Sequence, residues 1–144
     1  MFFSIPIKLF EGGRMPEYKT EGASCCDCYA RIKEGFTWIF PRERAMIPLG
    51  FAIELPEGYE AVIRPRSGMM SNGIDEGIGT IDSDYRGEVH ACLINNTPCK
   101  VKIENGDRIC QIKIQRSEQF HFVEVDSLNE TKRGVGGFGS TGVK

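Results

Sequence analysis

Apolar side chains in this chain recur at every second position, over runs too short for anything but strands. Phe51, Ile53 and Leu55 fall on one side of an extended segment, and Tyr59, Ala61 and Ile63 repeat the pattern. Val89, Ala91 and Leu93 follow, and Val101 and Ile103 sit between Lys100, Lys102 and Glu104. Ile112 and Ile114 flank Lys113, and Phe120, Phe122 and Glu124 alternate with His121, Val123 and Val125. A period of two puts alternate residues on opposite faces of a sheet and leaves no helical stripe. Turn chemistry separates the runs at Leu55-Pro56-Glu57-Gly58, Asn95-Asn96-Thr97-Pro98 and Glu104-Asn105-Gly106-Asp107. The chain is therefore expected to be one all-β domain, a distorted jelly roll or barrel. At most one short helix is expected, from Ser67 to Asn72, stopped by Gly73. The 144 residues suffice for one core, with no internal repeat and no interdomain linker.

The C-terminal end differs in kind. Between Arg133 and Gly142 stand glycines at 134, 136, 137, 139 and 142, and nothing there can build a core. Residues 1–128 are read as the β domain and 129–144 as a mobile arm, because ordering glycine is costly in entropy. Gly134 and Gly139 followed by Ser140-Thr141 nearly match a P-loop. Ser140 stands where that motif has lysine, however, and the chain ends before the helix a P-loop opens. The physics is still shared: glycines let backbone N–H groups curl around phosphate oxygens, and Arg133 and the hydroxyls add donors. Phe138 is a poor linker residue and is suited to stacking on a base.

A formal net charge of -2 argues against a nucleic-acid partner, since no basic stripe is present to neutralise a backbone. No run approaches the ~18 apolar residues needed to span a bilayer. Met1 to Lys8 is interrupted by Pro6 and lacks a basic region, so it does not read as a leader, and a cytoplasmic protein without membrane contact is expected. Cys25, Cys26, Cys28, Cys92, Cys99 and Cys110 show neither a second Cys-x-x-Cys nor a His pair, and are expected to be reduced.

Three internal segments combine polar chemistry with turns. In Ile63-Arg64-Pro65-Arg66-Ser67-Gly68, Ser67 is placed to cap a helix whose first N–H groups, next to Arg66, suit an anion. A capped helix with a surface arginine fits that hexapeptide equally well. In Gly77 to Glu88, extended runs flank Asp82, Asp84 and Tyr85, placing carboxylates near a hairpin tip. There one of them suits a general base toward water, although acidic turns are common for structural reasons. In Asn105 to Ile112, Arg108 and Gln111 interrupt an apolar run, where a buried glutamine completes a hydrogen-bond network or donates to phosphate.

Taken in order, these segments resemble the trimeric dUTPase family across almost the whole chain. Pro16 to Asp27 is similar to the first family motif, Pro65-Arg66-Ser67-Gly68 to the second and Gly79 to Gly87 to the third. Gly106 to Gln111 is similar to the fourth, and Arg133 to Gly142 to the fifth. Cys25 and Cys28 stand where the first motif commonly has glycine and leucine.

The resemblance implies a jelly-roll-like homotrimer with active sites between subunits, hydrolysing dUTP to dUMP and pyrophosphate by attack of water on the α-phosphorus. By position, it makes Asp82 the group that activates water. Gly77, Gly79, Thr80 and Ile81 line the uracil pocket, and Tyr85 packs on the deoxyribose. Arg66, Ser67, Gly68 and Gln111 hold phosphates, and Phe138, Gly139, Ser140, Thr141 and Arg133 close the lid. Asp27 holds waters of a Mg²⁺ bound mainly by the triphosphate, in keeping with the reluctance of that ion to dehydrate.

Two rival readings are a dCTP deaminase of the same fold and a regulatory protein that keeps the fold without the chemistry. Purified protein with Mg²⁺ is expected to release pyrophosphate from dUTP and no ammonia from dCTP. Ammonia from dCTP would overturn the reading in favour of the deaminase.

Overall fold

The computed structural model describes residues 3–143. Eleven strands and one short helix follow each other along the chain: β1 (Ile7–Leu9), β2 (Cys26–Tyr29), β3 (Phe36–Ile39), β4 (Arg44–Pro48), β5 (Phe51–Ile53), β6 (Tyr59–Arg64), α1 (Ser67–Ser71), β7 (Ile74–Gly77), β8 (Gly79–Ile81), β9 (His90–Asn95), β10 (Val101–Glu104) and β11 (Arg108–Arg116). All pairings are antiparallel, within four sheets ordered β1-β5, β10-β3, β2-β11-β6-β8 and β4-β9-β7. This is the expected all-β, jelly-roll-like architecture with its single short helix. No helix among the described residues is long and apolar enough to cross a membrane.

The alternation read from sequence becomes burial. Phe51, Ile53 and Leu55 are buried, as are Ala61 with Ile63 and Ala91 with Leu93, and all join one core with Leu49, Ile39 and Ile109. In β11 the period breaks, because the register shifts between Arg108 and Cys110 and both Ile109 and Cys110 turn inward. A bulge of this kind bends the strand and re-aims its side chains. Asn95 is fully buried without cost, because its amide donates to Ile39 O and Cys99 O (both 2.8 Å) and its carbonyl accepts from Thr97 N–H (2.9 Å) and Oγ1 (2.8 Å).

Three expectations need correction. Arg66, with an extended backbone, is the cap of α1, and Ser67 is its first helical residue with no side-chain cap bond. The turn at Asp82–Tyr85 is closed by Tyr85 N–H to Asp82 O (3.1 Å), yet it is no hairpin tip, since β8 pairs with β6 and β9 with β4 and β7. By contrast, Asn105-Gly106 is the expected turn leading into a strand, and it joins β10 to β11 across different sheets; Gly106 carries the positive φ of 86° and the Asn105 side chain accepts Ile32 N–H. Phe120 to Val125 alternates as a strand should but forms no ladder, and Phe120, Phe122, Val123 and Val125 are exposed.

The thiols are free, and Cys28 and Cys110 face each other across β2 and β11 inside the core. The Cys28 thiol beside it, together with burial, pushes the Cys110 thiol well above the ordinary range, so it is an inert packing group. Cys28 thus fills a core position of the kind a leucine takes. Cys25 lacks a positive φ, so its turn makes no demand for glycine.

Glu76 stands out on β7. It is buried, Oε1 accepts only a long bond from Cys92 N–H (3.4 Å), and Oε2 has no partner. Burial pushes its carboxyl up to about 7. The folded state therefore keeps a proton that the unfolded chain releases near its ordinary value of 4.5, so stability falls as pH rises through that window. Glu76→Gln is expected to leave the thermal midpoint nearly unchanged at pH 5 and to raise it by several degrees at pH 8. A variant whose midpoint tracks the parent at both pH values would refute this.

Candidate active site

Strand β11 pairs with β2 on one edge and β6 on the other, so Gln111 lies opposite both Asp27 and Arg64. Motif segments far apart in sequence meet here. The Gln111 amide donates to Pro65 O (2.9 Å), tying β11 to the connection that leads into α1. The Arg66 guanidinium donates to Arg108 O (2.8 Å) and lies 3.4 Å from the Asp27 carboxylate. Arg108 reaches the other Asp27 oxygen at 3.2 Å. The backbone of Asp27 is bridged in turn to Glu17, with Glu17 N–H to Asp27 O (3.1 Å) and Asp27 N–H to Glu17 O (2.9 Å). Three of the five segments singled out in the sequence thus form one cluster of two arginines, one carboxylate and one amide. Ser67 and Gly68 border it, both exposed, at the end of α1 where N–H groups lack helical partners.

The second cluster lies on β8 and the turn after it. Gly79, Thr80, Ile81, Asp82 and Tyr85 line a cavity of ≈ 250 Å³ with Met46, Ile63, Glu88, Val89 and His90. Its walls are mostly apolar, and the Asp82 carboxylate is exposed at its rim. β8 is the outer strand of its sheet, so one row of its backbone N–H and C=O groups is free for a ligand. A side chain added at Gly79 would meet nothing within 4 Å, which leaves the backbone open to close approach. Gly77, expected in the same pocket, pairs with Cys92 and is not among the lining residues. A wider cleft of ≈ 1070 Å³ on the other side of Asp82 is bordered by Glu57, Glu60, Asp84 and Glu118 against Arg116 alone, a setting that repels polyanions.

The two clusters lie at opposite ends of β6. Ile81 sits opposite Ala61, so Asp82 continues toward Glu60, whereas Arg66 lies two residues beyond Arg64, the other end. Arg66 turns back over the row of Asp27, Gln111 and Arg64, and the four extended residues from Glu60 to Arg64 separate the two levels by roughly 13 Å. Arg66 moreover turns toward β2 and β11, away from β8. Within one chain the two clusters thus stay separate.

The arm stays apart from both clusters. Its hydrogen bonds are local: Gly134 N–H to Thr131 O (3.1 Å), Gly136 N–H to Arg133 O (3.1 Å), Ser140 N–H to Gly137 O (3.0 Å) and Gly142 N–H to Gly139 O (2.9 Å). Arg133 Nε donates to Gly136 O (2.8 Å). Phe138 is fully exposed at a positive φ of 51°. Gly139, Ser140 and Thr141 are exposed beside it, so the arm offers free donors and an unburied ring without a partner surface of its own.

Sequence reasoning missed several residues here. Arg108 was seen only as an interruption, yet it holds Asp27. Arg31 and Glu88 form a bidentate pair (Nε–Oε2 3.0 Å, Nη2–Oε1 2.5 Å), and Gly50 N–H adds a third bond to Glu88 (3.0 Å). Burial works to raise the Glu88 carboxyl, but these bonds outweigh it and hold it below the usual range. The only available sequence signal was a charged residue between Gly87 and the buried Val89.

Among the described residues no three His, Cys, Asp or Glu side chains gather as a metal cage. One Asp27 oxygen accepts from Arg108 (3.2 Å) and the other lies in an ion pair 3.4 Å from Arg66, which leaves three of its roughly four acceptor positions. The residues fit a Mg²⁺ that arrives with a ligand and is touched through water, and do not fit one held by protein alone.

The chain has relatives among known proteins. The dUTPase family model matches residues 12–142. The deoxyuridine 5'-triphosphate nucleotidohydrolase of Treponema denticola is 48% identical over 139 residues, covering 94% of this chain and 96% of that protein. Its counterpart in Rhizobium rhizogenes is 47% identical over 133 residues, covering 90% and 85%. Among solved structures, Staphylococcus bacteriophage 80alpha dUTPase with dUPNHPP superposes with a TM-score of 0.89 at 25% identity, covering 97% of this chain and 99% of that one. A variant of the dUTPase from phage phi11 of S. aureus, which coordinates a structural Mg(II) ion, superposes with a TM-score of 0.81 at 21% identity, covering 89% and 100%. The matched family model spans β2 to β11, both clusters and the arm as far as Gly142: the chain belongs to the dUTPase family.

Proposed function

We propose that the protein is a dUTP pyrophosphatase, releasing dUMP and pyrophosphate through attack of water on the α-phosphorus. The observation that carries this reading is the small apolar cavity whose floor is the free edge of β8 and whose rim is the Asp82 carboxylate. Backbone N–H and C=O groups of Gly79 to Ile81 suit the alternating acceptors and donor of uracil. A cytosine amine would present reversed polarity to them, and leaving such buried groups unpaired is what gives a pocket strong selectivity. The narrow apolar wall excludes a thymine methyl by shape. Tyr85 packs on the deoxyribose and leaves no room for a 2′-hydroxyl.

Asp82 then acts as general base toward water, work worth ~10²–10⁴-fold in rate. Its side chain is exposed, within reach of a water at the cavity mouth. Arg66, Ser67, Gly68 and Gln111 hold phosphate oxygens through a planar guanidinium, a hydroxyl, free N–H groups and an amide. When bound, Mg²⁺ neutralises the triphosphate and orients it, and Asp27 touches its waters.

The separation of Asp82 from Arg66 supports sites built between copies of the chain, as a homotrimer provides. Two further features support assembly. The apolar residues from Phe120 to Val125 are exposed with strand periodicity and no ladder, and residues 129–143 form an arm whose hydrogen bonds are all local. In the assembly the arm lies over a neighbour's site, with Phe138 on the base and Arg133, Ser140 and Thr141 on the outer phosphates.

Asp82→Asn is expected to lower kcat by at least ~100-fold while dUTP affinity stays within about threefold, since the carboxylate acts on water. An unchanged kcat would remove Asp82 from the role. Refolding equal amounts of the Asp82→Asn chain and a chain lacking residues 129–144, each inactive alone, should recover about a quarter of parental activity. Random mixing leaves that fraction of sites with an intact Asp82 from one copy and an arm from another. Verified mixed oligomers with no activity would count against shared sites.

A further inference from the structure

Tyr85 is half-exposed, and its ring makes one hydrogen bond, from Oη to Glu88 O at 3.0 Å. A ring so lightly held needs a rigid surface beneath it if it is to judge the width of a sugar. Gly87 provides that surface. A methyl group placed at Gly87 would lie 2.4 Å from Tyr85 Oη, 2.6 Å from Cζ and 3.0 Å from Cε2, so the phenol rests directly on this Cα. The backbone at Gly87 is outside the positive-φ region, and glycine is therefore required for space and not for conformation.

Glu88 makes the seat immobile. Its carboxylate is fixed by both Arg31 nitrogens and by Gly50 N–H, as described above. The next residue is locked on both sides, with Val89 N–H donating to Phe51 O (2.9 Å) and Val89 O accepting from Leu49 N–H (2.9 Å). Upstream, Tyr85 N–H bonds Asp82 O (3.1 Å), and Arg86 closes the turn onto Ser83 O (2.6 Å). The loop carrying Asp82 and Tyr85 is thus pinned to the core at its far end by an ion pair that touches neither.

We propose that Gly87 and Glu88 form a seat that fixes the Tyr85 ring, and that rejection of ribonucleotides resides in this seat as well as in the ring. The proposal rests on the dUTPase reading, and Gly87 and Glu88 are positioning residues acting through Tyr85. A methyl at Gly87 drives the ring outward by over an ångström, because the phenol end is the only movable partner. The ring then no longer measures the 2′ position, whereas Asp82, five residues upstream, keeps its place.

The test is the ratio of kcat/KM for dUTP over UTP in the parent, Gly87→Ala, Tyr85→Leu and the double variant. Gly87→Ala is expected to lower the ratio about tenfold, with a thermal midpoint close to the parent. In the Tyr85→Leu background, where no phenol remains to displace, the same substitution should change it less than twofold. Tyr85→Phe, which keeps the ring and loses the bond to Glu88 O, should lower the ratio severalfold; it decides the matter should Gly87→Ala not fold. A ratio within twofold of the parent in Gly87→Ala, or in Tyr85→Phe where that variant decides, overturns the seat. So does an equal drop from Gly87→Ala with and without the Tyr85 phenol. A parent that hydrolyses dUTP while the variants retain its preference removes the seat alone, whereas a parent that hydrolyses neither nucleotide removes the activity reading and the seat with it.

Discussion

The candidate chemistry depends on β11 being paired along both edges. Because it lies between β2 and β6, Asp27, Gln111 and Arg64 fall in one row, and Arg66 needs only two further residues to turn back over it. Antiparallel ladders hold such rows in register through backbone bonds that do not depend on the side chains. The bulge after Arg108 then frees that guanidinium to reach Asp27 while Ile109 and Cys110 anchor the strand in the core. Charges are close here because a covalently indifferent ladder puts them there, and the Asp27 carboxylate between two guanidiniums lowers the mutual repulsion of the cations.

A different device secures the other half. β8 is short and paired on one side only, a weak platform for a loop that must hold a carboxylate and an aromatic ring. The pair Arg31–Glu88 compensates. It is bidentate, mostly shielded from solvent and reinforced by Gly50 N–H, which places it among the stronger ion pairs. Gly50 can approach because it meets Gly13 Cα to backbone, a contact no larger residue would allow. Two glycines and one ion pair thus do for the loop what neighbouring strands do for β11.

Much of this was legible in sequence. The period of two at Phe51–Leu55, Tyr59–Ile63 and Val89–Leu93 maps onto buried faces, because alternation is a local property of a pleated strand. The short helix ends at Ser71, one residue before the expected Asn72, with Gly73 at a positive φ just beyond. Pairing was not legible, since turn residues specify a reversal but not the partner: Asp82–Tyr85 reads as a hairpin tip and Asn105-Gly106 as a turn, and each passes between sheets. The Phe120–Val125 run carries a strand's pattern without a strand's partner, and pattern alone cannot tell where the ladder comes from. The pairing of Arg31 with Glu88 stayed invisible because the two are 57 residues apart in sequence.

The length of β6 separating Asp82 from Arg66 also bears on how activity scales with abundance. In the proposed assembly a newly made chain is silent, holding parts of a reaction centre and completing none of them. At protein levels low enough for copies to part, turnover would climb more steeply than concentration, giving the cell a threshold in place of a proportional response. The same division of labour makes each copy answerable for others, so one damaged chain would idle sites on its neighbours while its own fold stayed intact.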